Sequence, residues 1–323
     1  MNLSLQKLIV SVPGIVACLC LTACGSDDIS GADTPAETDG YRAPDAGSVA
    51  RATTVFEYTP APGQFINEAS ADMTWSESTT PADAALWAQG RLDKGLYVSL
   101  GAFGGYIVAG FDHSIAATAH GHEIGVAGNA FNSPAGDSNE PGIVYVMQDT
   151  NHNGLPDDVW YELRGSETLL PQTIRDYEVT YHKPSGEGQP VEWTDNRGGS
   201  GKVPYMGMFH KQPSYFPVWV SAPTYTLRGT CLQSKSAILP SGNRTNPPFE
   251  WGYADNCGSD AVVWNDYTNM CRFNIADAID ADGNPMTLPY IDFVKIQTGL
   301  QAIAGVLGEV STEVLGIVDL TLQ

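Results

Sequence analysis

Short β-prone runs punctuated by Gly, Pro, Asn and Asp clusters predict an all-β chain, an antiparallel β-sandwich with long loops and one or two short helices. Three observations carry that expectation. The runs recur at the spacing of sandwich strands. Strands and helices do not alternate regularly, which sets aside a parallel α/β sheet. No repeat of fixed period is visible, which sets aside propellers and solenoids.

The chain opens on a segment outside the fold. Lys7 supplies a positive start, and Leu8 to Leu21 is apolar but short for a bilayer span. It ends in Leu21-Thr22-Ala23-Cys24, which resembles a bacterial lipobox. Residues 1–23 are therefore expected to be a lipoprotein signal peptide, with Cys24 lipidated as the first mature residue; an ordinary signal peptide containing cysteine is the alternative. From Gly25 to about Arg51 the chain is Gly, Ala, Ser, Asp, Thr and Pro with almost no large apolar residues. Such a stretch cannot bury enough surface to offset ordering entropy, so residues 24–54 are expected to be a disordered tether. Gly25-Ser26-Asp27-Asp28 resembles the export signal of Bacteroidetes surface lipoproteins, which implies the outer membrane and the cell surface. Simple linker solvation and a periplasm-facing domain are the alternatives.

Residues 55–323 are expected to form a single domain. Its one clear helix signal has Thr80 as cap, Pro81 in the first turn, Ala84 to Ala88 as body and Gly90 as end. Expected strands are Leu96–Leu100, Tyr106–Phe111, His122–Ala127, Gly142–Gln148, Val159–Arg164, Tyr177–His182, Val218–Val220, Tyr225–Arg228, Ile291–Gln297 and Leu315–Leu322. A hydrophobic fraction of 42% is ordinary for a globular core. The 37 acidic against 16 basic residues, net −21, argue against nucleic acid or anionic headgroups as partners. With Cys18 and Cys20 in the signal peptide and Cys24 acylated, Cys231, Cys257 and Cys271 remain. Cys257–Cys271 closes the shorter loop and is the expected bridge, leaving Cys231 free. The sequence has no Cys-x-x-Cys spacing for zinc.

The run Asp149-Thr150-Asn151-His152-Asn153-Gly154-Leu155-Pro156-Asp157-Asp158 carries the clearest chemistry. Side-chain oxygens recur at every second position before a turn at Gly154, a spacing that can wrap a hard cation. Asp149, Asn151, Asn153, the carbonyl of Leu155, Asp157 and Asp158 are the expected ligands of a structural Ca²⁺. The twelfth position, a bidentate Glu in an EF-hand, is Trp160, so Asp158 or Glu162 would complete the shell. Asn153-Gly154 alone also reads as a hairpin turn, but leaves the other acids unexplained.

Other polar clusters have two readings each. Asn139 and Glu140 brace that loop or line a binding edge, or simply turn the chain before Pro141. Asp255, Asn256 and Asp260 offer a second cation site or Asx turns, and Asp280 to Pro285 reads as a hairpin loop. His113, His120 and His122 would suit zinc or acid–base chemistry, but no third ligand, His-Glu-x-x-His or Gly-x-Ser-x-Gly accompanies them, so surface or turn positions are expected. Trp160, Tyr161, Trp193, Tyr215, Phe216, Trp219, Trp251 and Tyr253 stand beside Asp/Asn/Gly loops, the combination that sugars or flat macrocycles require, with about half expected in the core. The stretch Gly198 to Gln212, with Met206, Met208, Phe209 and His210, is long enough to wall a pocket.

The successions Val98-Ser99-Leu100-Gly101-Ala102-Phe103-Gly104-Gly105-Tyr106, Asn139-Glu140-Pro141-Gly142-Ile143-Val144, Trp193-Thr194-Asp195-Asn196, Trp251-Gly252-Tyr253-Ala254-Asp255-Asn256 and Gly308-Glu309-Val310-Ser311-Thr312-Glu313 look like bacterial cell-surface lipoproteins with galactose-binding-like jelly-roll domains. The resemblance implies a jelly roll, a place in nutrient uptake with an outer-membrane transporter as partner, and a glycan or corrinoid ligand. The expected function is non-enzymatic capture of a small extracellular ligand by Trp193, Asp195, Asn196, Trp251 and Tyr253. A carbohydrate-active hydrolase or esterase is the alternative if acids or His113 and His122 gather in one open cleft. An adhesin or structural surface protein is the third reading.

Overall fold

The computed structural model describes residues 39–265, 268–304 and 308–322, so the expected signal peptide and the lipidation at Cys24 lie outside the described residues. The fold is all-β, antiparallel and sandwich-like. Its main sheet has the order β1 (Thr54–Thr59), β3 (Tyr106–Ala116), β16 (Tyr290–Thr298), β5 (Gly142–Met147), β6 (Tyr161–Leu163), β15 (Ala278–Ile279). A second sheet runs β13 (Ala261–Asn265), β14 (Thr268–Phe273), β4 (Ile124–Gly128), β18 (Gly316–Asp319). A third runs β10 (Thr224–Cys231), β7 (Ile174–His182), β8 (Val191–Asp195), β9 (Ser200–Val203). Two short ribbons pair β2 (Val98–Ser99) with β17 (Glu313–Val314) and β11 (Ala237–Ile238) with β12 (Arg244–Thr245).

The main core lies between the first two sheets. Ile107, Ala109, Val144, Val146, Val294 and Ile296 from one meet Ile124, Val126, Phe273 and Ile317 from the other. Since side chains alternate along a strand, the neighbours Lys295, Tyr145 and Glu162 project from the opposite face. There the third sheet covers them, around its own core of Val179, Tyr181, Val191 and Leu227. The central strands are therefore covered on both faces, and β3 and β16 are buried at nearly every position, including polar ones such as Asp292 and Gln297.

Helix α1 (Pro81–Leu92) closes an edge of the core. Thr80 and Asp83 form a reciprocal capping box, and Ala84, Ala85, Ala88 and Leu92 are buried. The helix runs past Gly90 because Leu92 still has core to cover, and a side chain at Gly90 would meet nothing within 4 Å.

Other expectations are corrected. Val218–Val220 is a turn, not a strand. Part of the expected tether is docked: Arg42 donates to the carbonyls of Phe111 and His113, both at 3.2 Å, and pairs with buried Asp292 at 3.0 Å. Ala52 donates to Ile317 at 2.9 Å. Backbone pairing and one guanidinium hold this segment where apolar burial could not. Cys257 and Cys271 are free thiols, as is Cys231. The Cys271 thiol donates to the Asn256 carbonyl at 2.9 Å, and the Cys257 sulfur accepts from Asn269 at 3.3 Å, so neighbouring polar groups satisfy both.

Candidate functional site

Three carboxylates from distant parts of the chain meet at one end of the sandwich. Glu140 stands on the step into β5, Asp255 in the loop following Trp251, and Glu313 on β17; an oxygen of each lies within 4.8 Å of the others. Pairing of β17 with β2 sets Glu313 opposite Ser99, whose hydroxyl donates to it at 2.5 Å. Asp255, held at φ 51°, accepts the amides of Asn129 and Ala130 at 2.8 Å each and of Glu313 at 3.0 Å. A Cβ on Gly128 would stand 2.4 Å from the Asp255 carboxylate, so glycine is required for this approach. Ser311 donates its amide to Glu140 at 3.1 Å.

Asp255 and Glu313 are buried, and Glu140 is half-buried at the floor of a cavity of about 370 Å³. Phe65, Tyr97, Phe209 and His210 line its sides, with Phe209 63% exposed at the rim. The Gly198–Gln212 stretch supplies Phe209 and His210 of this wall. Tyr215 pins it by accepting the Met206 amide at 3.0 Å and donating to the His210 carbonyl at 2.9 Å. His210 packs edge-on against Phe65 at 4.6 Å and bonds Glu68 at 3.0 Å.

Burial, then the neighbouring Glu313 charge, pushes Glu140 and Asp255 well above the usual carboxylate range; the three amides pull Asp255 partly back. Burial also raises Glu313, against hydrogen bonds from Glu140, Ser99 and Ser311. Adjacent Glu309, also buried, is pushed up to about 7 by burial. Three ionised carboxylates cannot coexist here uncompensated, so protons or a cation must neutralise them. With protons, the carboxyls donate as well as accept hydrogen bonds. With the protons displaced, three oxygens at this spacing fit a hard cation.

The Asp149 loop joins β5 to β6 and closes on itself. The Asp149 carboxylate accepts the amides of Asn153 at 3.1 Å and Gly154 at 2.8 Å. Asp157 takes the side-chain amides of Asn151 at 3.0 Å and Asn153 at 2.9 Å, while Asp158 takes the amide of Thr150 at 3.0 Å and its hydroxyl. The Thr150 hydroxyl in particular holds Asp158 below its ordinary range. The donor set Asp149, Asn151, Asn153, Asp157 and Asp158 fits a hard cation in kind, but among the described residues its three carboxylates do not converge as Glu140, Asp255 and Glu313 do, since the loop's own amides occupy them. The Leu155 carbonyl already accepts the Asp157 amide at 2.9 Å. Glu162 leaves the ring altogether, accepting from Thr230 at 2.5 Å, so Asp158 is the residue left to complete a shell.

The five expected ligand-binding residues do not converge. Asp195 closes a turn, accepting Tyr177 at 2.6 Å and the amides of Arg197 and Gly199 at 2.9 and 2.6 Å. Asn196 bonds the Asp176 carbonyl at 2.9 Å, and Trp193 packs against the core of the third sheet. Tyr253 is 1% exposed, its hydroxyl accepting the Glu167 amide. Trp251 lines a separate cavity of about 270 Å³, with Arg164 stacked on its ring at 5.7 Å. Asp255, Asn256 and Asp260 likewise serve different partners, Asn256 bridging the amide and carbonyl of Phe249 and Asp260 accepting from Gly252. His113 is fully buried between Asp112 at 2.6 Å and Asp319 at 2.9 Å rather than on the surface.

Glu309, Glu313, Phe65 and Tyr97 carry no sequence signal that marks them as a site. The one available hint was that Asn139-Glu140-Pro141, Asp255-Asn256 and Glu309 to Glu313 recurred among the strings behind the family resemblance. No family model matches the sequence, and no curated protein does either.

Proposed function

We propose that this chain is a lipid-anchored surface protein that captures a small extracellular ligand, with a glycan as the favoured class, in the acid-floored pocket. One observation carries the reading: Glu140, raised well above the usual carboxylate range by burial and then by the Glu313 charge, and Glu313, raised by burial, lie beneath the aromatic rim of Phe209 and Tyr97. Carboxyls that both donate and accept, beside ring faces that stack on C–H surfaces, match the alternating polar and apolar faces of a sugar. In this proposal Cys24 is the anchor, the outer membrane the location, an outer-membrane transporter the recipient, and the Asp149 loop a Ca²⁺-held staple.

A hydrolase is the second reading, favoured by acids gathered in one open pocket. Against it, Glu140 and Glu313 hydrogen-bond each other, whereas retaining glycosidases hold their carboxyls about 5 Å apart around the substrate. Calorimetry against glycans and cobalamins tests the proposal. The expected result is saturable glycan binding without product formation, weakened about tenfold by Phe209→Ala, or about 1.4 kcal/mol. Binding indifferent to both Phe209→Ala and Glu140→Gln would overturn the site, and released product would overturn the non-enzymatic reading.

A further inference from the structure

A larger cavity, of about 580 Å³, opens between the main sheet and the third sheet, away from the acid pocket. Strand register builds its floor. Lys295 on β16 is paired with Tyr145 on β5, and Tyr145 with Glu162 on β6, so three polar side chains form one row across the sheet. Arg175 of β7 and Arg228 of β10 face this row, and Trp160 stands at its side.

Most charges in the cleft are answered. Arg228 pairs with Glu178 at 3.0 Å, and Arg175 donates to the carbonyls of Asp280 at 2.7 Å and Ala281 at 3.1 Å. Two groups are not. Among the described residues Lys295 has no salt bridge or hydrogen bond; its ammonium lies over the rings of Tyr106 at 4.3 Å and Tyr145 at 5.3 Å. Glu162 is 4% exposed; one of its oxygens accepts from Thr230, while the other has no partner. Arg175 pairs with it at 3.9 Å through an Nε that has no hydrogen-bond partner. A buried polar group without a partner costs free energy that a bound ligand can recover.

We infer that this cleft binds a singly charged, hydroxylated carboxylate, a sugar acid, with Lys295 taking its carboxylate, Glu162 accepting a hydroxyl and Trp160 stacking on its ring. One cation without a hydrogen bond or salt bridge, between Glu57 and the buried Glu162, favours a monoanion, because these carboxylates repel additional negative charge. The aromatic neighbours suit a ring with an apolar face better than a small inorganic anion. The site is separate from the acid pocket and stands whether or not that pocket binds a glycan.

Titration calorimetry of the full chain in detergent, with galacturonate, galactose and inorganic phosphate, tests this. Galacturonate is expected to bind at least tenfold more tightly than galactose or phosphate. Lys295→Met keeps the apolar stem against the tyrosines and should weaken galacturonate at least tenfold, with an unchanged melting curve. Trp160→Ala should weaken it too and provides a second variant outside the central strands. Glu140→Gln, in the other pocket, should leave galacturonate unaffected, which separates failure of one site from failure of the other. Equal binding of galactose, equal binding of phosphate, indifference to both Lys295→Met and Trp160→Ala, or no galacturonate binding at millimolar concentration would each overturn the inference.

Discussion

Replacing Glu309 by Gln should make the protein more resistant to unfolding in neutral solution and leave its acid stability nearly unchanged. Glu309 is 2% exposed, and one carboxylate oxygen accepts the Gln64 amide at 2.7 Å while the other has no partner. Burial raises its pKa from 4.5 to about 7. Below the unfolded value the residue is protonated in both states, and its contribution to stability is fully present. As pH rises from 4.5 towards 7 the unfolded chain ionises first, so stability is lost through that window and reaches a floor above the folded value. A rise of this size corresponds to about 3 kcal/mol as an upper figure, because Glu313 shares the local field. Glutamine can still accept from Gln64 but never ionises. Urea denaturation at about pH 4 and about pH 8, with chelator present, should show the advantage of Glu309→Gln growing by up to about 3 kcal/mol between them. The other acids titrate in both proteins and largely cancel. An advantage that is the same at both pH values would refute the assignment of a burial-raised pKa to this residue.

Asp255→Ala strips a buried acceptor from the amides of Asn129, Ala130 and Glu313, and should cost about 4 kcal/mol in urea denaturation, with Asp255→Asn losing less because one oxygen remains. Chelator should lower the melting temperature and Ca²⁺ restore it by several degrees, and Asp149→Ala should abolish that response; a wild-type melt indifferent to Ca²⁺ would remove the metal from the loop. Alkylation of the denatured, unreduced protein followed by peptide mass analysis should find Cys231, Cys257 and Cys271 all modified, since each is a free thiol.

Features set by neighbours in the chain were legible in advance. The helix start at Thr80 depends on a hydroxyl and a carboxylate three residues apart, and the closure of Asp149 to Asp158 depends on side chains reaching amides two to eight residues away. The helix end was misread because Leu92, two residues beyond Gly90, answers to the core rather than to its local propensity. The docked Arg42 segment was missed for a related reason. Its composition lacks apolar surface, yet its partners lie far along the chain in Phe111, His113 and Asp292.

The sandwich class, the turn-rich loops and the oxygen-spaced Asp149 loop were determined by the sequence alone, because period, turn chemistry and local capping act over a few residues. The acid-floored pocket and the cleft of Lys295 were decided by the tertiary structure. Glu140, Asp255 and Glu313 meet only because β17 pairs with β2 and two loops converge there, and their pKa values are raised by burial that no local pattern encodes. The row Lys295–Tyr145–Glu162 likewise exists only once strand register is chosen, since a slip of one residue would send each side chain to the other face.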